Sequence, residues 1–146
     1  MDNKEFWKRL ENLSRSEDAG EQLLDLLDLL KEAYSENLDV ICFCVFDKDN
    51  PCMARQGFID CEEGRLLMCY SSPEHAGREP RGPGCCENLL WGSGQMPVRH
   101  VIDSMLAKPA VSGIIFNSDD ASETMIAPKA MMESLLEECE GSAFSC

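Results

Sequence analysis

Cysteine and histidine are the residues here whose chemistry could define a function, with nine Cys and two His in 146 residues. Cys42-Phe43-Cys44 puts two thiols on one face of an extended segment, because strand side chains alternate. A structural zinc site takes four ligands, commonly supplied by Cys-x-x-Cys pairs, and that spacing occurs nowhere in the chain. If a hairpin pairs Cys61 with Leu66, Cys61 and Cys69 fall on opposite faces, and a one-residue change in loop length would reverse this. The residues thus point to no metal and no cofactor, with most cysteines packed as small apolar side chains. Cys85-Cys86 are neighbours in a Gly/Pro loop and are the expected exposed thiols, although nothing nearby supplies the lowered pKa that redox sensing needs. His75, two residues beyond Pro73, could approach that loop and make a nucleophile and base pair, so Cys85, Cys86 and His75 are the candidates for a thiol site. His100 falls opposite the stripe of Val98, Val101, Ile102 and Met105, which points it to solvent near Asp103. Gly82-Pro83-Gly84 and Gly92-Ser93-Gly94 lack the Lys and the preceding strand of a phosphate loop. Paired carboxylates are numerous, and on an acidic surface they usually form a solvated face.

The elements that must carry these residues belong to one domain, which is what the length supports. A chain of this size buries enough surface to fold without disulfide or metal. Asp plus Glu number 27 against 13 Lys plus Arg, a net charge of −14. That balance repels phosphate backbones and anionic lipid, so neither nucleic acid nor membrane is an expected partner. No apolar run approaches the roughly 18 residues that span a bilayer, and the polar start Met1-Asp2-Asn3-Lys4 shows no export signal. A cytoplasmic protein with reduced thiols is the expectation.

Phe6, Leu10 and Leu13 recur at helical spacing and predict a short amphipathic helix within residues 1–17. A second helix follows from residue 18 or 19, capped by Ser14 with Glu17 or by Asp18 with Glu21. Leu23, Leu24, Leu26, Leu27, Leu29 and Leu30 leave it only a narrow polar strip of Asp25, Asp28 and Glu32. It must be covered on several sides, either by the sheet and the first helix or by a partner. Residues 40–46, 53–60 and 65–71 read as three antiparallel strands, with Gly64 closing the second turn. Ser72-Pro73 starts a short helix, and residues 77–95 read as an irregular loop. Pro97 opens a helix ended by Lys108-Pro109. Residues 111–117 and 123–126 are strands, and Pro128 begins a closing helix. The expected fold class is α+β, a mixed sheet of about five strands packed against helices over residues 18–139, with a tail at 140–146.

Two segments in this order carry a family pattern. Leu66-Leu67-Met68-Cys69-Tyr70-Ser71-Ser72-Pro73-Glu74-His75-Ala76, and Ser112-Gly113-Ile114-Ile115-Phe116-Asn117 with the loop, short strand and apolar helix after it, resemble the N-terminal domain of the bacterial SseB (enhanced serine sensitivity) family. Ser118 stands where the family usually has Pro, and Tyr70 where it has Phe. The resemblance spans about residues 20 to 139. It implies an α+β domain in a bacterial cytoplasmic protein and supplies no catalytic residue. The reading that follows is a non-enzymatic interaction or regulatory module, with a protein partner or weak homodimer at the N-terminal helices. The rival class is a small thiol-dependent enzyme or metal-binding protein using Cys and His.

Overall fold

The computed structural model describes residues 1–47, 49–79 and 89–144. Helix α1 (Asn3–Ser14) opens on Asp2, whose carboxylate accepts the Glu5 N–H at 2.8 Å. Helix α2 (Ala19–Ser35) is capped by Asp18, which accepts from Gly20 and Glu21, while Ser14 stays in α1 and donates to Glu11 O at 2.6 Å. The carboxylate cap prevails because Asp18 can satisfy two free N–H groups at once. At its other end α2 closes with Asn37 at φ 55°. Leu38 N–H then reaches Ala33 O and Asn37 N–H reaches Tyr34 O, a Schellman end in which Asn replaces the usual Gly.

Strands β1 (Asp39–Asp47), β2 (Asn50–Gln56), β3 (Phe58–Cys61), β4 (Gly64–Tyr70), β5 (Leu89–Pro97), β6 (Val111–Phe116) and β7 (Met125–Pro128) form one mixed sheet. Its backbone order is β5-β1-β4-β6-β7, with β4 and β6 parallel and the other pairs antiparallel. Seven strands stand where about five were expected, for two reasons.

The first reason is that residues 53–60 do not make one strand. The segment begins at Asn50 and breaks at Gly57, so that β2 pairs with the far half of β1 and β3 pairs with β4. Gly57 stands at the fork, where its N–H donates to Phe43 O at 2.7 Å and its carbonyl accepts from Met68 N–H at 3.0 Å. A Cβ there would lie 2.5 Å from Phe43 Cδ1, so only glycine lets the three strands meet. The hairpin beyond it pairs Cys61 with Gly64, whose φ of 114° suits glycine alone.

The second reason is that Leu89–Pro97, expected as the end of a loop, is strand. It pairs with β1 along its full length, from Asp39 opposite Pro97 to Asp47 opposite Leu89. The long apolar β1 needs a partner on that edge, and this pairing overrides the poor strand propensity of Gly92 and Gly94. Pro97 consequently ends β5 and caps α4 (Val98–Leu106) rather than opening it as its first helical residue. The closing helix α5 (Lys129–Phe144) likewise starts after Pro128, which ends β7, and continues through residues read as a tail.

One face of the sheet carries Cys42, Cys44, Leu67, Cys69, Ile114 and Phe116 against α1, α2, α4 and α5. The other carries Ile41, Phe43, Leu66, Met68, Tyr70 and Ile115, with Ala76 of α3 (Pro73–Arg78) against them. Alternation along β4 and β6 assigns each residue its face. Helix α2 lies beside α1 and α5 and turns Leu26, Leu29, Leu30 and Ala33 inward. No helix among the described residues is long and apolar enough to cross a membrane.

Candidate functional site

The parallel strands β4 and β6 release the chain side by side, and the polar cluster of the molecule is built on those two exits. Asn117 follows β6 in the left-handed region at φ 58° and is wholly buried. Its side-chain oxygen accepts the Ser71 N–H at 2.9 Å, and its amide donates to Ser71 Oγ at 3.0 Å and to Glu123 O at 3.3 Å. One side chain thereby ties the end of β4 to the end of β6 and to the loop beyond. Asn is suited to this place because its short amide tolerates the left-handed backbone.

Past Ser71, the Ser72 hydroxyl caps α3 by accepting the His75 N–H at 3.2 Å. That fixes the third residue of the helix facing inward, and His75 is fully buried. Its Nδ1 lies 2.8 Å from Asp119 Oδ2, whose side chain is enclosed and also accepts from Arg78 Nε at 3.4 Å. Arg78 Nη2 also lies 3.1 Å from Nδ1, so this ring nitrogen sits between an acceptor, Asp119, and a donor, Arg78. On the opposite side of the ring, Nε2 is 2.7 Å from Glu123 Oε2 and 3.8 Å from Glu11 Oε1. Glu123 stands beside the direction in which Nε2 would donate, and among the described residues the buried Nε2 makes no well-aligned hydrogen bond. Arg15 spans the two glutamates, with Nε 2.8 Å from Glu123 Oε1 and Nη2 3.2 Å from Glu11 Oε1. Its hydrogen bond holds the Glu123 carboxyl below the usual carboxylate range, outweighing the opposite pull of partial burial.

Chemically, this cluster can tie α3, α1 and the 117–124 loop together as a buried polar network, or offer a ring nitrogen and two carboxylates as donors to a ligand. The sequence singled out His75 and missed Glu11, Asp119 and Glu123, which come from α1 and the 117–124 loop. The one local sign of Glu11 is its place a turn after Trp7 on the flank of the Phe6 and Leu10 stripe. Cys85 and Cys86, expected beside His75, lie outside the described residues, and the described side chains that meet the His75 ring nitrogens are three carboxylates and Arg78.

The remaining candidates are scattered. His100 is exposed on α4 and lines a cavity of about 480 Å³ with Arg55, Phe58 and Lys108. Cys42 and Cys69 face each other across β1 and β4 with their Sγ atoms 3.7 Å apart, and Cys44 lies in the same core. Burial pushes the Cys44 and Cys69 thiols up. Cys61 is exposed at the hairpin.

A second feature lies on the opposite side of α1. A groove of about 450 Å³ runs between α1 and α2, with Leu13 and Leu29 in it, Asp25, Asp28 and Glu32 along one wall, and Arg9 of α1 facing them with its Nη1 3.3 Å from Glu32 Oε2. Leu24, one turn before Asp28 on the same face, is 66% exposed, and neighbouring Leu23 is 41% exposed. They are the two exposed large apolar side chains among the described residues.

No family model, curated protein or solved structure matches this chain.

Proposed function

We propose that the chain is a non-enzymatic interaction or regulatory module of the bacterial cytoplasm, similar to the N-terminal domain of the SseB family, and that it docks a partner protein on its α1–α2 face. The observation that carries this is the exposure of Leu24, on the same face of α2 as Asp28 of an acid-walled groove, on a chain otherwise economical with surface leucine. Asp25 and Asp28, beside the Arg9–Glu32 pair, complement a basic, amphipathic helix, whose apolar side would lie on Leu24 and whose cations would meet these aspartates. Two copies of the same face would instead bring two chains of charge −14 together, so a heterologous partner is favoured over a homodimer. The family resemblance draws support from the two segments that carry it, which lie as the adjacent parallel strands β4 and β6 joined by Asn117 and Ser71. The cytoplasmic reading draws support from Cys42, Cys44, Cys61, Cys69 and Cys139, all free thiols.

Titration of the isotope-labelled chain with a synthetic leucine–lysine amphipathic peptide tests the docking face. Amide shifts are expected to concentrate on α1 and α2 and to vanish in Leu24→Glu. Shifts spread evenly over the acidic surface, or unchanged in that variant, would remove the docking face, and concentration-dependent dimerisation abolished by Leu24→Glu would replace the partner by a second copy.

A further inference from the structure

The sides of the His75 ring are used in unequal ways. Nδ1 lies against an enclosed carboxylate, the arrangement that orients metal-ligating histidines, with Arg78 Nη2 3.1 Å away on the same side. Nε2, equally buried, makes no well-aligned hydrogen bond among the described residues. Glu123 Oε2 and Glu11 Oε1 are the carboxylate oxygens near it, at 2.7 Å and 3.8 Å. One ligand atom each from Glu11, His75 and Glu123 lies within 4.8 Å of the other two. In a tetrahedral centre with bonds of about 2.0–2.1 Å, ligand atoms stand about 3.3 Å apart. The 2.7 Å and 3.8 Å separations from Nε2 bracket that spacing, so a rotation of the two glutamate side chains would suffice.

We infer that Glu11, His75 and Glu123 form a binding site for a first-row divalent cation. One nitrogen and two carboxylates suit the Mn²⁺ to Zn²⁺ range. Both glutamates are partly open to solvent, which provides an entry path and a place for a water ligand. Arg15 bonds to both and keeps them side by side, and Asp119 supports the ring from behind. Loaded, the site would clamp α1 to the exits of β4 and β6.

Mn²⁺ titration of the chelator-treated, reduced chain tests this, because Mn²⁺ prefers oxygen and nitrogen donors to the nine thiols. Electron paramagnetic resonance reads affinity, and paramagnetic broadening of amide signals reads location. One ion per chain is expected, with broadening centred on Glu11, His75 and Glu123. Glu123→Gln and Glu11→Gln, both at the open rim, should each weaken binding at least about tenfold, while Glu62→Gln should leave it unchanged. His75→Gln is the direct variant but removes a buried ring, so the rim variants decide where it fails to fold. Absence of saturable binding up to about 1 mM, or equal affinity in Glu123→Gln and Glu62→Gln, would overturn the site and leave His75 as the centre of a purely structural polar cluster.

Discussion

Single residues carry more of this fold than their number implies, and Asn117 is the clearest case. Its positive φ and its bonds to Ser71 are separate contributions. Alanine at 117 adds a left-handed penalty of about 1–2 kcal/mol. It also leaves the buried Ser71 N–H unpaired, at about 1–3 kcal/mol. Asn117→Ala should therefore lower unfolding free energy by roughly 3 kcal/mol in urea titration, and Asn117→Gly, which suits the backbone, by less. Equal losses would mean that backbone conformation contributes nothing. The sequence brought Asn117 forward within a family pattern but not its role, since nothing local shows that a residue 46 positions away supplies its partner. Gly57 shows the same limit. A lone glycine in an extended run signals a bulge or a close approach. That three strands meet there depends on Phe43 and Met68, which the run itself does not contain.

At the level of elements, what repeats was legible and what depends on pairing was not. The Ser72 cap and the inward stripe of Val98, Val101, Ile102 and Met105 follow from local rules and hold, and of the two caps offered for α2 the structure uses Asp18. The shared face of Cys42 and Cys44 also holds, because it needs only alternation. The approach of Cys69 to Cys42 needs the β1–β4 register, which is set around the ribbon inserted between those strands. Strand β5 was missed because its glycines read as loop and its partner precedes it by about fifty residues. The histidine cluster gathers side chains from α1, α3 and a loop, a convergence with no periodic signature. Thiol chemistry follows from the pairing: only a thiolate reacts, and desolvation raises the Cys44 and Cys69 thiols from their ordinary value, so little thiolate forms near pH 8. Iodoacetamide on the native chain at pH 8, read by peptide mass spectrometry, should spare Cys42, Cys44 and Cys69 until denaturant is added. Cys61 should be modified in the native state, at a rate reduced by its hydrogen bond to Glu63, which also raises its pKa. Native labelling of Cys69 at the rate of Cys61 would contradict a closed β1–β4 core.

Across the whole molecule, most of the sheet grows by antiparallel pairing, and β4 with β6 is the exception. Between them the chain travels through α3, β5 and α4 before it returns. Closing such a circuit costs loop entropy before its contacts repay it, and pairings of this kind form slowly. The bonds that Asn117 makes to Ser71 join the two ends of that circuit, which gives them a place in time as well as in space. They belong after the rate-limiting step, once the meander and its helices have condensed. In stopped-flow measurements Asn117→Ala should hasten unfolding while leaving the refolding rate nearly unchanged, whereas slowed refolding would put the strap inside the nucleus. On this order of events His75 acquires its carboxylate neighbours last. A signal from its ring, followed during refolding, would then mark the arrival of the finished protein.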